Sequence, residues 1–334
     1  MPPNLWTPER FEQVADYWAD RLVLESAALD IYGQLADAPL GALEVADRLR
    51  LEPGATQLFL DALVALGLLA KDGRKYSNSE AADRYLVRGS PDYIGHGLVA
   101  AQFNWELWGR LPTALRTGKR QRDKLILLEE PEAARHLLLA LHGSARSRAT
   151  DILQRGSIDL KDRRLMLDLG GGAATYSVAF CRAYKDLRVT LVDTPIAAAI
   201  ARDVVASAGL EDRISVLEYD VDERELASDY DFIWMSDVIH RRSYNANRAL
   251  FERLFNRLQP GGEIAVQDMI MDETRTMPAR GAVHSLHMLL SSGVGRCYTF
   301  QEIHTWLAGA GFGNVQWVRQ EVEDEDLTII TAAK

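Results

Sequence analysis

The sequence predicts an α/β fold: a doubly wound, mostly parallel sheet with helices on both faces, preceded by a helical region. Three observations predict it. From about residue 161, apolar strand-like runs alternate with helical patterns, in the order "RLMLDLG", "RVTLVDT", "ISVLEYD", "DFIWMSD", "EIAVQDM", "VQWVRQ" and "LTIITAA". The first run leads straight into a glycine turn and a small-residue helix, "LDLGGGAATYS". Upstream of about residue 160 the apolar residues instead recur at three-to-four spacing, with no such alternation.

In chain order, "FEQVADYWADRLVLESAALDIYGQLA" and "TQLFLDALVALGLLA" read as amphipathic helices. The segment Pro39 to Leu86 reads as helix, turn, helix and a short ribbon, with an Asp-Gly hairpin turn in "KDGRKYS". It resembles a winged-helix module. Its candidate recognition helix, Thr56 to Leu66, holds no Lys or Arg and one Asp, whereas reading DNA needs cations for phosphates and polar forks for base edges. A transcriptional regulator is therefore disfavoured. Leu58, Leu60, Leu63, Val64 and Leu66 suit packing in a core or a dimer instead. The apolar side chains of the first 35 residues, among them Trp6, Phe11, Trp18, Leu22 and Leu24, point to a homodimer formed through this region. The basic run "RTGKRQRDK" reads as a solvated loop or helix end.

Composition excludes several classes. With 334 residues and 47% hydrophobic content the chain can bury a large core and has room for two domains. A net charge of −10 repels nucleic acid and anionic membranes, so neither is expected as a partner. Cys181 and Cys297 are the two cysteines, far apart and without ligand spacing, which argues against a disulfide framework or a metal site. The first residues lack the basic start and apolar centre of a leader, and no apolar run approaches the ~18 residues of a membrane span. The expected location is cytoplasmic.

The glycine run sits where a strand hands over to a helix, so free backbone amides and the helix dipole face whatever lies above the turn. Close packing alone is the other reading of such a turn. The second strand ends in Asp193, 25 positions after Asp168, near the ~20-residue offset at which an acidic side chain reaches ribose hydroxyls in βαβ nucleotide sites. The third strand ends in Asp220, so three successive strands carry Asp at the same sheet edge. A single such Asp would be a helix cap; three in step point to a nucleoside site. His240 follows the fourth strand at that edge and is the candidate general base.

With "LDLGGGAATYS", "VTLVDTP", "EYDVDE", "DFIWMSDVIH", "LQPGGEIAVQDMI" and "AGAGFGNV" in this order behind a winged-helix module, the chain resembles the class I S-adenosylmethionine-dependent methyltransferases. It is most similar to their two-domain small-molecule O-methyltransferases, which include plant caffeate-type enzymes and bacterial natural-product and pigment enzymes. The resemblance implies a dimerisation domain over 1–100, a helical linker over 101–160 roofing the active site, and a Rossmann-like cofactor domain over 161–334. It implies S-adenosyl-L-methionine as cofactor. Gly170 and Gly172 would lie against the methionine part, and Asp168 would orient the loop or the cofactor amino group. Asp193, with Thr194 beside it, would bond the ribose, while Asp220 and Val221 would frame the adenine. Ser236 stands where many members carry a cofactor-contacting Lys, and "PGG" at 260–262 is a structural turn.

His240 matches the family's base and Asp268 the acidic residue that supports it. Cys297 occupies the place of a second carboxylate, and Arg241 and Arg242 follow the His where relatives have Asp-Trp or Asn-Trp. Arg241, and Arg146 or Arg148 in the preceding helix, are candidates to grip an anionic group. Phe103, Trp105, His287 and Met288 are candidates for the acceptor pocket, with core packing as their other reading. The expected activity is O-methylation of a small-molecule acceptor. The alternatives are S- or C-methylation of an anionic acid, such as a 4-methylthio-2-hydroxybutyrate-type thioether, by proximity and desolvation, and a non-methylating member of the family.

Overall fold

The computed structural model describes residues 7–123, 126–219, 226, 229–318 and 327–334. They fall into two compact units, Met1–Glu106 and Leu107–Lys334.

In the first unit, α1 (Pro8–Ala15) starts on a proline with the Thr7 hydroxyl capping the Arg10 amide. It is followed by α2 (Trp18–Ala28), α3 (Ile31–Gln34), β1 (Leu40–Gly41), α4 (Ala42–Leu49), α5 (Pro53–Ala65), β2 (Leu69–Asp72), β3 (Lys75–Asn78) and α6 (Glu80–Leu86). Helix α7 (Gly95–Gly109) begins in this unit. The expected hairpin is present: β2 pairs antiparallel with β3 across Gly73, whose φ of +57° suits the tight turn, and β1 adds to the other side of β3. Ile31, Tyr32, Leu60, Leu63 and Tyr76 make the core beneath it. The α5 face that the sequence assigns to packing is divided, because Leu60 and Leu63 are fully buried while Leu58 is 74% exposed.

The second unit opens with α8 (Leu111–Thr117), α9 (Ile126–Glu129) and the long α10 (Pro131–Arg155), which ends on Gly156 in the left-handed region. Strands and helices then alternate: β4 (Leu165–Leu169), α11 (Thr175–Ala183), β5 (Arg188–Asp193), α12 (Pro195–Ala208), β6 (Ile214–Glu218) and β7 (Tyr230–Ser236). A 3₁₀ turn (Ile239–Arg241) leads to α13 (Tyr244–Arg257), β8 (Leu258–Met269), α14 (Ala279–Ser291), α15 (Phe300–Ala310), β9 (Gly313–Val318) and β10 (Leu327–Ala333). Among the described residues the sheet has seven strands in the order β6-β5-β4-β7-β8-β10-β9. All neighbours from β6 to β8 are parallel, and β10 runs antiparallel to both β8 and β9.

Both faces are covered, which is why the strands read as continuous apolar runs rather than alternating ones. Leu167, Leu169, Ile233 and Met235 pack with Leu250, Phe251 and Trp306 from α13 and α15. Met166, Phe232 and Trp234 point the other way, toward Ala149 and Ile152 of α10, Phe180 of α11 and Val205 of α12. The order reverses between β4 and β7, so their carboxyl ends open a crevice in which doubly wound sheets hold ligands. No helix among the described residues is long and apolar enough to cross a membrane.

Candidate active site

A cavity of about 220 Å³ lies at that reversal point, with the glycine turn as its floor. Gly170 and Gly172 have φ of +70° and +54°. A Cβ at Gly170 would stand 2.6 Å from the Val238 side chain and one at Gly171 2.6 Å from Leu191, so at these two positions glycine serves close packing. The Gly172 amide donates to Asp193 Oδ2 at 2.8 Å and the Thr194 amide to Asp193 Oδ1 at 2.7 Å. Burial raises the Asp193 pKa against the pull of these amides and of Arg241.

Asp168 is sealed below the turn, where it accepts a 2.5 Å hydrogen bond from the Ser177 hydroxyl. Burial pushes its pKa up to about 7 despite that bond. Ser236 lines the cavity and donates to Gln267 Oε1 at 3.0 Å, the oxygen that also accepts from the Tyr176 hydroxyl at 2.6 Å. Asp220 and Val221 lie outside the described residues.

Of the two arginines considered on α10, Arg146 is exposed and Arg148 lines the cavity. Two positions apart on a helix, they point to different sides. Arg148 donates to Ser144 Oγ at 3.2 Å and lies 4.0 Å from the Asp237 carboxylate, and its buried Nε has no hydrogen-bond partner among the described residues. The cavity thus combines the guanidinium groups of Arg148, Arg241 and Arg242, the carboxyl groups of Asp168, Asp193 and Asp237, backbone amides and the apolar walls of Leu138, Leu141 and Val192. That donor set fits S-adenosylmethionine, whose carboxylate, amine, ribose diol and adenine call for these partners.

Beside the cavity, the 3₁₀ turn carries His240, which is 3% exposed. Its Nδ1 lies 2.8 Å from Asp268 Oδ1, an oxygen that also accepts the Met269 amide at 2.8 Å. Burial alone would raise the Asp268 pKa, but the imidazole and the amides outweigh it and hold the carboxyl below its ordinary range. An ionised Asp268 accepts a hydrogen bond from Nδ1–H and so keeps the proton on that nitrogen, which leaves Nε2 as the ring's lone-pair nitrogen. The turn is tightly held. Asn247 donates to the Ile239 carbonyl at 2.9 Å and Tyr298 to the Arg242 carbonyl at 2.6 Å. A Cβ on Gly295 would fall 2.0 Å from the His240 carbonyl oxygen.

Cys297 is buried, and its thiol is pushed up to about 12, so no charge stands where the resemblance implies a carboxylate. Asp237 supplies a second one from another direction, since donor atoms of Asp237, His240 and Asp268 lie within 4.8 Å of one another. Its φ of +59° is the kind of backbone outlier that collects at functional sites.

Helix α14 sets two more imidazoles nearby. The His284 ring meets His240 edge to face at 4.8 Å between centres, and His287 lies 5.6 Å beyond it, stacked on Trp108. Burial pushes His284 down to about 3 and His287 to about 4, so both are neutral near pH 7. His284 Nε2 is sealed from solvent without a hydrogen-bond partner among the described residues, a state that costs about 1–3 kcal/mol. Met288 is buried on the same helix, and Arg241 is on the cavity wall. Phe103 and Trp105 belong to the α7 segment of the first unit, where the Trp105 ring sits 5.5 Å from Tyr17 and 5.6 Å from the Arg21 guanidinium.

Sequence reasoning missed His142, which bonds Thr175 Oγ1 at 2.8 Å on the cavity wall, as well as Tyr176, Gln267 and His284. Only His284 left a signal, because it lies three positions before His287 on one helix face.

Fold and cavity define a methyltransferase that uses S-adenosylmethionine. The chain belongs to the O-methyltransferase family: an O-methyltransferase domain matches residues 128–313 and an O-methyltransferase dimerisation domain matches residues 19–88. It is 33% identical to the tetracenomycin polyketide synthesis 8-O-methyl transferase TcmO of Streptomyces glaucescens, over 90% of this chain and 89% of that protein. It is 29% identical to the 3-hydroxy-5-methyl-1-naphthoate 3-O-methyltransferase of Streptomyces sahachiroi, over 95% and 93%. Among solved structures it is similar to PigF with SAH, with a TM-score of 0.84 at 25% identity, covering 99% of this chain and 100% of that one.

Proposed function

We propose that the chain methylates a hydroxyl group on a small aromatic molecule, with His240 as general base and Asp268 as the residue that orients it. The observation that supports this reading is the buried 2.8 Å contact of His240 Nδ1 with Asp268, which leaves Nε2 as the ring nitrogen able to take a proton. The bound cofactor supplies an electrophilic methyl group on a sulfonium. An oxygen nucleophile must lose its proton as it takes that methyl, and His240 Nε2 receives the proton while the Asp268 carboxylate stabilises the imidazolium. The aromatic class is carried by the names of the polyketide and naphthoate relatives.

For the cofactor we assign Arg148 to its carboxylate, Asp168 to its amine, Asp193 and Thr194 to its ribose, and Gly170, Gly172 and Ser236 to the walls that shape its seat. Arg241 lines the same cavity, and its charge acts on Asp193 as well as on His284 and His287. Screening hydroxyarenes and hydroxynaphthoates for S-adenosylhomocysteine release, with mass spectrometry of the product, identifies an acceptor. With that acceptor, His240→Ala should lower kcat by roughly 10²–10⁴ while leaving S-adenosylhomocysteine affinity unchanged. A variant with near-normal kcat overturns the base assignment.

A further inference from the structure

We propose that Arg241 is a specificity-determining residue that selects acceptors carrying a carboxylate on the same ring system as the hydroxyl to be methylated. The inference rests on the O-methylation proposed above and adds the charge of the acceptor. Arg241 directly follows His240 in the 3₁₀ turn, Ile239–Arg241, and lies on the cavity wall. Base and guanidinium therefore come from one short element. Its backbone has little room to move, because the Arg241 amide donates to the Val238 carbonyl at 3.2 Å and a Cβ on Gly295 would fall 3.0 Å from Arg241 Cα.

The side chain is partly buried, yet its guanidinium makes no hydrogen bond or ion pair among the described residues. Nearby carboxyl groups have other partners. Asp193, on which the Arg241 charge acts, gives both oxygens to the Gly172 and Thr194 amides, and Asp237 lies 4.0 Å from Arg148. The same charge reaches His284 and His287 on α14, but these imidazoles are neutral near pH 7 and supply no counter-charge. The carboxylate of the cofactor is assigned to Arg148 and leaves Arg241 open. An uncompensated cation on the cavity wall, one residue after the base, is a receptor for an anion, and the planar fork of a guanidinium meets a carboxylate with two hydrogen bonds. An acceptor bearing that group gains two fixed points, its carboxylate on Arg241 and its hydroxyl on His240 Nε2, so the pair orients it as well as binding it.

The test uses the full-length chain saturated with S-adenosylhomocysteine. It is titrated at about pH 7.5, where carboxylic acids are ionised, with 2-naphthol, with 3-hydroxy-1-naphthoate and 3-hydroxy-2-naphthoate, which add a carboxylate to that skeleton at two spacings, and with their methyl esters. The wild type should bind at least one acid about tenfold more tightly than its ester and than 2-naphthol. Arg241→Gln should erase that preference, and Arg241→Lys, which keeps the charge without the planar fork, should keep part of it. A merely structural role for Arg241 would lower all these affinities together and leave their ratio intact, so the ratio is the readout. S-adenosylhomocysteine affinity should be the same in all three proteins. Equal binding of acids, esters and naphthol by the wild type, binding of none of them, or a ratio that survives in Arg241→Gln overturns the proposal. A preference lost only together with S-adenosylhomocysteine affinity places Arg241 on the cofactor and equally overturns it. If His240→Ala keeps normal turnover while Arg241→Gln still loses the preference, the base assignment fails and the specificity assignment stands.

Discussion

Asp168 and Asp268 are both sealed carboxyl groups at the carboxyl ends of sheet strands, yet their protonation is pushed in opposite directions. The difference lies in the partner. Asp268 faces an imidazole able to carry positive charge, whereas Asp168 has the Ser177 hydroxyl and the like-charged Asp193 nearby. A carboxyl group held at about 7 is half protonated at neutral pH in the cofactor-free chain. Bringing an ammonium group against it favours the ionised form, so binding should release a proton and should weaken as pH falls through that value. S-adenosylhomocysteine titrations are expected to show affinity rising between about pH 6 and 8 and then levelling, with Asp168→Asn weaker and flat over the same range. A wild-type affinity independent of pH would remove Asp168 from the amine. Free-chain stability should move the other way. A raised carboxyl pKa means that the folded state binds more protons than the unfolded state, so this contribution declines as pH rises from about 4 to 7.

At the scale of elements, α15 illustrates how a helix end supports the site. Thr299 caps it, accepting the Glu302 amide while the Glu302 carboxylate accepts the Thr299 amide at 3.0 Å, and Arg296 and Arg275 both pair with Glu302. The same cap fixes the segment containing Cys297, Tyr298 and Gly295, which presses on the carbonyl groups of the 3₁₀ turn. Thr299→Ala should lower unfolding stability by about 1 kcal/mol in urea and lower kcat without changing S-adenosylhomocysteine affinity; unchanged stability would mean the cap is replaceable. Local elements of this kind were legible in the sequence. Apolar runs marked the strands and "DG" marked the hairpin. What could not be read is convergence: His142 and Thr175, Tyr176 and Gln267, or His240 and His284 meet only after the chain has folded, across tens of residues with no shared pattern. Asp237 was hidden for another reason, since its proximity to His240 depends on a positive φ that an Asp does not announce.

For the whole molecule, the first unit displays more apolar surface than its own core requires. Trp18 is 71% exposed and Leu58 74%, and Phe11, Val14 and Leu43 are also largely uncovered. These residues lie in or near the matched dimerisation domain, residues 19–88. Covering one such large side chain gains about 1.5–3 kcal/mol, so a second copy of the chain that covers several on each side supplies the free energy of a stable dimer. Its net charge of −10 opposes association only through screened, long-range repulsion. Light scattering at micromolar concentration should therefore give twice the mass of one chain, in low and high salt alike, because apolar burial is not screened. Leu58→Glu and Trp18→Glu alter exposed positions, so circular dichroism should stay unchanged. Each should nevertheless shift the mass toward one chain, since dimerisation would bury an unpaired carboxylate. A wild-type chain that scatters as a monomer, or charged variants that dimerise as well as the wild type, would show that these residues do not form the interface.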